Sequence, residues 1–464
     1  MTTGAAHEPG RVSPGLARWL LGVAYLTLAS LYAWQASQRV SPTIFSDEIE
    51  FTQISRGIAE TGRPSRLGEP SGFGSLYTYL VAPAWWLDPT EAWEAAKLIG
   101  VLVMTSALLP AYGLARFVVS RAWAIAAAVG AVAAPPLAYA PYLLEEPLAY
   151  PFSTTALWAI TAAIAWPTRG RIVLAGALCL VAPFVRGELA VLLPIFAAGL
   201  LALLWQTESF TRWRRSWTSG DWLGAAMLAV GAAVAISAAA GHRSDAWYVA
   251  TGFFKQRTLE YGVWALAAMT IGLALLPVVA TVAAFASRAV RATAEGRAFV
   301  VVGIAACGAF ATYAAVKGAF LSTQFGNLIL ERNVIYVVPV VVAATAAVLA
   351  RPVASVPALG TGFLVAILLV ANAELRLDQY PYFEAPSLSV GHFANRNLSW
   401  DAADVERALV VTALASLALL AARSLVRSRS TGLALAAVAA GAVLTDTATT
   451  EIYTARGLNT FAER

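Results

Sequence analysis

Stretches of apolar residues, each about 18 residues or longer, alternate with short polar segments along most of the chain. Such stretches cross the ~30 Å hydrocarbon core of a bilayer as helices, because a backbone in lipid must satisfy its own hydrogen bonds. The pattern therefore predicts an all-α, polytopic integral membrane protein with about thirteen transmembrane helices, within a range of eleven to fourteen. The predicted spans are 16–38, 91–115, 122–140, 147–166, 171–185, 189–206, 221–241, 261–286, 298–316, 333–350, 355–371, 405–422 and 431–445.

Two segments near the N-terminus need separate interpretations. Residues 72–87 are too short and too interrupted for a span, and their Trp85–Trp86 pair favours a juxtamembrane helix in the interface. The apolar run 19–36 follows two arginines, as in a signal peptide. It is longer than a signal peptide's apolar region and has no clear small-residue cleavage site after it, so we interpret it as a retained first span.

Arginine is concentrated in alternate loops, which predicts an orientation. With the N-terminus inside, the inner segments hold sixteen arginines and only four acidic residues, Glu8, Glu208, Asp221 and Glu295. The outer segments then hold the remaining sixteen basic and twenty-three acidic residues. The positive-inside rule therefore predicts a cytoplasmic N-terminus and an acidic extracytoplasmic face.

Two predicted outer segments are long, 39–90 and 372–404. Both are rich in aromatic residues and proline, which favours packing on the membrane surface over disorder. We expect a transmembrane module over 1–350 that includes the first loop. The remaining transmembrane helices, over 351–464, include the second loop, and no separate soluble domain is expected.

Composition agrees with a membrane protein and excludes some other classes. The chain is 59% hydrophobic and 13% charged, with a mean hydropathy of +0.67. Its pI of about 9.2 does not indicate nucleic-acid binding, because the basic residues form no patch. Cys179 and Cys307 lie within apolar runs, as small buried residues do, and without the spacing of a disulfide framework or a metal site.

The acidic residues cluster at the outer ends of the predicted spans, and the first cluster follows span one. Asp47 with Glu50 three residues later has the spacing of a capping box, which would be a purely structural role. A carboxylate at a helix N-terminus is also favoured as the anion, as a general base must be. Capping and catalysis are compatible, so both interpretations stay open for Asp47.

Two further pairs of charged residues lie next to predicted spans four and six. Glu145 and Glu146 precede Pro147, and they are either solvated at a helix start or part of a site. Arg186 precedes Glu188 by two residues, and we expect it to pair with Glu188 or with Glu146.

A fourth cluster opens predicted span ten. Arg332 is a basic residue on the predicted acidic face, and a guanidinium is well suited to phosphate. The alternative is a side chain that snorkels to the interface. Lys317 precedes it at the end of span nine. If these clusters form one site, Asp47, Glu146, Arg186 and Arg332 should converge.

Short motifs spread over about 16–350 resemble one known superfamily. A first span followed at once by Asp47-Glu48 in a long outer loop is one of them. The others are IAETGR at 58–63, GFGSLY at 72–77 with APA at 82–84, PAYGLAR at 110–116, Glu146 with Tyr150-Pro151, Arg186 before LLP at 192–194, and Glu331-Arg332 with Tyr336 and Pro339. Together they resemble GT-C glycosyltransferases, which are multi-span enzymes related to protein O-mannosyltransferases and aminoarabinose transferases, and their uncharacterised bacterial members.

The resemblance implies a function. The donor would be a polyprenyl-phosphate sugar and the acceptor a glycan, a lipid or a protein, at the outer face of a bacterial inner membrane. Direct displacement would invert the anomeric carbon, with Asp47 as general base. Arg332, Arg186 and Lys317 would bind the donor phosphate.

The resemblance also implies supporting roles for other acidic residues. Glu48, Glu145 and Glu146 would orient the base or the acceptor. Alternatively, Asp47, Glu48 and Glu146 would hold Mg²⁺, Mn²⁺ or Ca²⁺, which prefer oxygen ligands.

The remaining site candidates lie in the outer loops. Glu69 is the candidate for a second acid in the first loop, although its surroundings depart from the family pattern. Glu188 is a further candidate. His392, in the same segment as Tyr380, Tyr382 and Phe383, is either part of an acceptor groove or packed on the surface. His242 is a lone loop residue. Larger family members often carry a soluble outer domain, so we consider a partner subunit in its place.

Two other functional classes stay open. A transporter or flippase for a lipid-linked glycan would require polar residues near the bilayer midplane and paired repeats. A non-catalytic assembly factor would tolerate the loss of Asp47, whereas an enzyme would not.

Overall fold

The structure is a computed structural model, which describes residues 12–40, 46–134, 138–205, 215, 217–223, 226–227, 255–323, 329–352, 355–375, 377, 384–426 and 428–462. The helices and strands in the first half of the chain are α1 Pro14–Ser37, α2 Ser46–Thr61, β1 Ser65–Arg66, β2 Glu69–Pro70, α3 Leu76–Val81, α4 Pro89–Thr105, α5 Leu108–Ala115, α6 Arg121–Val132, α7 Glu146–Ala165, α8 Arg169–Val185 and α9 Leu192–Trp205. They are followed by α10 Lys255–Gly272, α11 Leu276–Ala286, α12 Ala294–Leu321, α13 Val338–Ala350, α14 Val356–Ala371, α15 Ser389–Leu398, α16 Ala402–Leu425 and α17 Arg429–Ala462.

The predicted all-α, polytopic membrane architecture is confirmed. Within the described part of the chain, seven helices are long and apolar enough to cross a membrane. They are Pro14–Ser37, Pro89–Ala115, Glu146–Ala165, Gly187–Trp205, Ala294–Leu321, Ala402–Leu425 and Ser430–Gly457. The bent pair α10 and α11 would make an eighth span, and three shorter apolar helices accompany them. The count of thirteen is not confirmed, and predicted span 221–241 lies mostly outside the described residues.

One predicted span, 261–286, is broken. The helices on either side of Leu273–Leu275 bend by 107°. Ala274 and Leu275 have positive φ angles, of 55° and 64°, which are unfavourable for residues with a side chain. Pro277 lies in the first turn of α11, where its missing N–H is not needed. Hydropathy reports the apolar length of a segment and not its path, so the bend was not predicted.

Polar caps at the arginine-rich end of the bundle define where several helices begin. The Ser13 hydroxyl accepts a hydrogen bond from the Leu16 N–H at 3.2 Å before α1. The Thr293 hydroxyl accepts one from the Gly296 N–H at 3.0 Å before α12. Each cap satisfies a backbone donor that has no partner within the helix.

The first loop contains helices at the predicted place. Helix α3 continues into a 3-10 turn at Ala82–Trp86 and packs against α2. The Trp85 indole donates a hydrogen bond to the Ser55 hydroxyl at 2.7 Å, whereas Trp86 is exposed and donates to the Ala59 carbonyl at 3.2 Å. The tryptophan pair therefore has one inward and one outward member.

Small residues dominate the core and let the helices approach closely. One close approach is between α14 and α11, where a Cβ added at Gly362 would lie 2.6 Å from the Val279 carbonyl oxygen. Any larger residue there would push the two helices apart. Close packing of this kind brings the ends of the helices together, and their polar residues with them.

Helix α17 packs against the N-terminal part of the chain. Its Glu451 forms a buried ion pair with Arg39, just after α1. The Asn459 amide receives a hydrogen bond from the Val40 N–H at 3.1 Å and donates one to the Gln38 carbonyl at 2.9 Å. The region 351–464 is thus joined to the first loop by polar contacts.

Loss of the Arg39–Glu451 pair should destabilise the fold strongly. Glu451→Ala leaves the Arg39 guanidinium buried without its carboxylate, and we expect a loss of about 3–5 kcal/mol in unfolding free energy. The measurement is detergent-induced unfolding followed by circular dichroism. Glu50→Ala is the matched control, because it breaks an exposed pair with Arg66 and should cost below about 1 kcal/mol. Equal losses in both variants would contradict the prediction.

Candidate active site

Arg332 lies at the centre of a group of carboxylates. Its Nη2 donates a hydrogen bond to Asp47 Oδ2 at 3.0 Å, and its Nη1 donates to Glu384 Oε1 at 2.9 Å. Its Nε and Nη2 contact the two oxygens of Glu146, the second at 3.4 Å. The side chain is buried, so the interpretation of Arg332 as a snorkelling interfacial residue is wrong.

Arg186 approaches the same carboxylate from another direction. Its Nη1 contacts Glu146 Oε1 and also donates a hydrogen bond to the Tyr336 hydroxyl at 3.0 Å. Its Nε donates to Glu188 Oε2 at 2.8 Å and lies 3.8 Å from Glu145 Oε2. Both predicted partners of Arg186, Glu146 and Glu188, are therefore present.

Lys317 completes the network through Glu188, whose second oxygen accepts from the ammonium group. The predicted convergence of Asp47, Glu146, Arg186 and Arg332 is therefore observed as a chain of direct contacts. We call the whole set the charged cluster. It consists of Asp47, Glu145, Glu146, Arg186, Glu188, Lys317, Arg332 and Glu384.

The charged cluster is assembled from the ends of several helices. Asp47 lies in the first turn of α2, and Glu146 is the first residue of α7. Arg186 follows α8 directly, and Arg332 lies in a 3-10 turn before α13. Because helix ends leave the regular backbone pattern, their side chains can point towards one another across the end of the bundle.

The exposed fraction of the side chains increases across the charged cluster from Glu146 to Asp47. Glu146 is fully buried, and Arg186 is 2% exposed. The Glu384 side chain is 21% exposed and that of Asp47 is 45% exposed. The cluster therefore has a closed interior at Glu146 and an open edge at Asp47.

Charge compensation holds the two arginines in their ionised form. Burial by itself lowers the pKa of Arg332, but Glu146 and Glu384 outweigh it and raise that pKa well above its usual value. Burial likewise lowers the pKa of Arg186, and Glu146 and Glu188 reverse the direction. Glu145 differs, because burial raises its pKa to about 7 despite the opposing effect of Arg186.

Glu48 is directed to a different part of the structure from its neighbour Asp47. It is fully buried, and its Oε1 accepts a hydrogen bond from the Leu143 N–H at 3.0 Å. That contact fixes the segment leading to Glu145 and Glu146. Its predicted role in orienting the base or the acceptor stays a prediction.

The alternative role of Asp47 in a capping box is wrong. Helix α2 begins at Ser46, which places Asp47 inside the first turn, and its carboxylate contacts Arg332. Glu50 instead pairs with Arg66 in the adjacent hairpin, at 3.1 Å. The spacing was compatible with a cap, but tertiary partners decided both side chains.

Two other predicted residues lie apart from the charged cluster. Glu69 is exposed on strand β2, and no hydrogen bond or ion pair joins it to the cluster in the described structure. His392 is buried in α15, where Nδ1 contacts the Leu377 carbonyl at 3.1 Å and burial lowers its pKa. Neither residue belongs to the charged cluster, and a role for either one in acceptor binding or catalysis stays a prediction. Tyr380, Tyr382, Phe383 and His242 lie outside the described residues.

Sequence reasoning missed Glu384 as a member of the charged cluster, and it missed the burial of Asn333. Glu384 was overlooked within a segment noted only for its aromatic residues and its histidine. Asn333, directly after Arg332, is fully buried, and neither atom of its side-chain amide has a hydrogen-bond partner in the described structure. A polar residue following Glu331-Arg332 was the available signal for Asn333.

The residues suggested for a metal ion do not form a ligand set. Over the described ranges, no group of three or more His, Cys, Asp or Glu side chains is arranged to hold a metal. Within the trio Asp47, Glu48 and Glu146, Glu146 contacts two arginines and Glu48 contacts a backbone N–H. Dependence on a divalent cation stays a prediction.

The fold and the charged cluster together define a polytopic α-helical membrane protein with a buried arginine–carboxylate network that opens at one end of the bundle. No protein-family model and no curated protein matches the sequence. Among solved structures, ArnT from Cupriavidus metallidurans in the apo state is similar over 96% of this chain and 78% of that chain. The TM-score is 0.45 and the identity is 14%, values that do not transfer activity or substrate.

Stability should fall with rising pH because of Glu331, which is buried beside Ser387. Burial raises the pKa of Glu331 to about 7, although hydrogen bonds from Ser387 oppose the shift. Between the ordinary value of 4.5 and about 7, the native state keeps a proton that the unfolded chain has released. The free energy of unfolding therefore decreases as pH rises through this window.

Glu331→Gln should remove the part of the pH dependence of stability that Glu331 contributes. The measurement is the apparent unfolding temperature from about pH 5 to about pH 8. Ser387→Ala is the control, because loss of the opposing hydrogen bond from its hydroxyl should raise the pKa of Glu331 further and steepen the dependence, while the bond from its backbone N–H is kept. Glu145 titrates in the same range but is unchanged in all three proteins. Identical pH dependence in wild type and Glu331→Gln would refute the assignment.

Proposed function

We propose that the chain is a GT-C-type membrane glycosyltransferase that transfers a sugar from a polyprenyl-phosphate donor to an acceptor hydroxyl. The observation that carries the proposal is the contact between Asp47, which is nearly half exposed, and the buried guanidinium of Arg332. A potential base and a phosphate-binding cation are thereby held together at the open edge of the charged cluster. The motif resemblance over 16–350 supports the same function.

The donor phosphate would bind by exchange. The N–H groups of Arg332 are already occupied by Asp47, Glu384 and Glu146. Asp47 and Glu384 are the more exposed carboxylates, so an incoming phosphate would replace one of them more readily than the buried Glu146. A phosphate that displaces Asp47 from Nη2 leaves that carboxylate beside the donor and free to accept a proton.

The chemical step then balances without a cofactor. Asp47 takes the proton of the acceptor hydroxyl while the acceptor oxygen attacks the anomeric carbon of the donor. The bond between that carbon and the phosphate oxygen breaks, and polyprenyl phosphate leaves with the electron pair. Arg332 stabilises the charge that develops on the phosphate. Single displacement inverts the anomeric configuration.

Glu146 acts in this scheme as a positioning residue. It is fully buried and contacts both Arg186 and Arg332, so it orients the arginines and has no access to substrate. Arg186 and Lys317, joined through Glu188, would add positive potential next to the phosphate.

The proposed location is a bacterial inner membrane, with the charged cluster on the extracytoplasmic side. The cluster lies where α7 begins and α8 ends, whereas arginine-rich segments occupy the opposite ends of these helices. The positive-inside rule places the arginine-rich end in the cytoplasm. The acceptor is a glycan, a lipid or a protein, presented alone or by a partner subunit.

Asp47→Asn should abolish most transfer. The variant keeps the size of the side chain but cannot accept the proton, so we expect a loss of roughly 10²–10⁴-fold. The measurement is transfer of radiolabel from a panel of polyprenyl-phosphate sugars to acceptors in membrane vesicles that contain the purified protein. Parallel samples with a chelator test cation dependence.

Glu50→Gln is the matched control, because Glu50 lies in the same turn region but pairs with Arg66 outside the cluster. Its transfer rate should stay near that of wild type. Near-normal transfer by a stably inserted Asp47→Asn protein would remove Asp47 from the mechanism. It would favour a non-catalytic assembly factor if no donor is consumed by wild type either.

Arg332 should bind the phosphate of the donor. Arg332→Lys keeps one positive charge but loses the planar fork, so polyprenyl phosphate should bind roughly tenfold more weakly. Binding is measured with labelled polyprenyl phosphate in detergent. Arg66→Lys, a change at an exposed arginine outside the cluster, is the control and should leave binding unchanged. Equal affinities of wild type and Arg332→Lys would contradict phosphate recognition at this residue.

A flippase for a lipid-linked glycan is the alternative that one feature favours, because carriers often use broken helices. The break between α10 and α11 at 273–275 is such a feature. However, Leu275 is buried among apolar residues, and the sequence 268–284 contains no charged residue. A flippase would move the intact donor across the bilayer, whereas a transferase releases polyprenyl phosphate in the presence of acceptor.

A further inference from the structure

A cavity of about 570 Å³ lies at the end of the bundle opposite the charged cluster. Its walls come from the end of α5, the end of α7, the start of α12 and the segment after α13. The cluster lies at the first residue of α7 and the cavity at the other end of that helix. Twenty residues at about 1.5 Å per residue separate the two sites by roughly 30 Å.

Two arginines line this cavity and are anchored to consecutive carbonyls. Arg116 donates a hydrogen bond to the Val119 carbonyl, and Arg351 donates to the Val118 carbonyl at 2.9 Å. Neither guanidinium has a carboxylate partner within the described structure. Backbone contacts fix their positions without neutralising them, so several N–H donors of each remain for an anion.

Aromatic rings form much of the remaining wall. Phe117 and Trp166 lie with their ring centres 5.2 Å apart, and Trp158 lies against Gly113, where an added Cβ would come 2.7 Å from the indole nitrogen. Trp158 and Trp166 are 36% and 43% exposed, so the cavity reaches the surface of the bundle. Tryptophan is favoured at the boundary between lipid headgroups and hydrocarbon.

Among the described residues of the cavity wall, the one acid is Glu295, and it already accepts a hydrogen bond. Glu295 Oε1 accepts a hydrogen bond from the Trp166 indole at 3.0 Å. A third arginine, Arg171, lies over the Trp166 ring at 5.4 Å from its centre and donates to the Trp166 carbonyl at 2.8 Å. Among the described residues, positive charge therefore exceeds negative charge around the opening.

We infer that this cavity binds the phosphate group of an anionic membrane lipid. Arg116 and Arg351 would hold the phosphate through paired N–H donors, as guanidinium groups do. Trp158 and Trp166 would contact the glycerol and the first methylene groups. The bound phosphate belongs to a lipid and is not free inorganic phosphate, because the walls beside the arginines are aromatic and open to the surface. The inference does not depend on the proposed transferase activity.

The test measures lipid binding by native mass spectrometry of the full-length protein in neutral detergent. The probes are dioleoyl phosphatidylglycerol, dioleoyl phosphatidylcholine and inorganic phosphate. Wild type should retain one phosphatidylglycerol molecule more tightly than any phosphatidylcholine. In Arg116→Gln/Arg351→Gln its affinity should fall roughly tenfold or more, since two charge-assisted contacts are lost.

Arg169→Gln/Arg288→Gln is the matched control, because it removes two exposed arginines from the same end of the bundle outside the cavity wall. Its affinity for phosphatidylglycerol should change less than about twofold. An equal loss in both double variants would overturn the inference in favour of general surface charge. Equal retention of phosphatidylcholine, or binding of inorganic phosphate as tight as that of the lipid, would also overturn it. Arg116→Lys/Arg351→Lys keeps both charges and should give an intermediate affinity if the first variant does not fold.

Discussion

The carboxylate of Glu146 is shared by the guanidinium groups of Arg186 and Arg332, which are 40 and 186 residues away in the sequence. All three side chains are buried, and the two arginines repel each other, which is visible as an opposing effect on the pKa of Arg332. A buried cation without compensation is very unfavourable. The start of α7, the end of α8 and the turn before α13 must therefore meet at one level.

This constraint explains why the side chains of the site range from fully buried to nearly half exposed. Glu146 anchors the interior, and Glu188 and Lys317 extend the network sideways along the end of the bundle. Only at Asp47 and Glu384 do carboxylates reach solvent while still contacting Arg332. The proposed exchange of a carboxylate for the donor phosphate rests on this difference between a buried interior and an exposed edge.

The arginines at the two ends of the bundle have different hydrogen-bond partners. At the cluster end, carboxylates surround the cations and the charge is internally compensated. At the arginine-rich end, Arg116 and Arg351 contact backbone carbonyls, and no carboxylate among the described residues pairs with either. Helix α7 connects both ends, with Glu146 at its start and Trp166 just after its last residue. The same helix thus borders the charged cluster at one end and the arginine-lined cavity at the other.

Hydropathy alone determined that the chain is an all-α membrane protein, because helices in lipid must satisfy their backbone internally. The sequence also indicated Asp47, Glu146, Arg186 and Arg332. A charged residue at the border of an apolar run is energetically unfavourable unless it is solvated or paired, so such residues are candidates for a functional site. Tertiary structure decided their partners: it paired Glu50 with Arg66, turned Glu48 towards Leu143 and buried His392 in packing. It also broke the span 261–286 and brought Glu384 to Arg332. Local spacing carries no information about contacts hundreds of residues apart, which depend on how closely the helices pack.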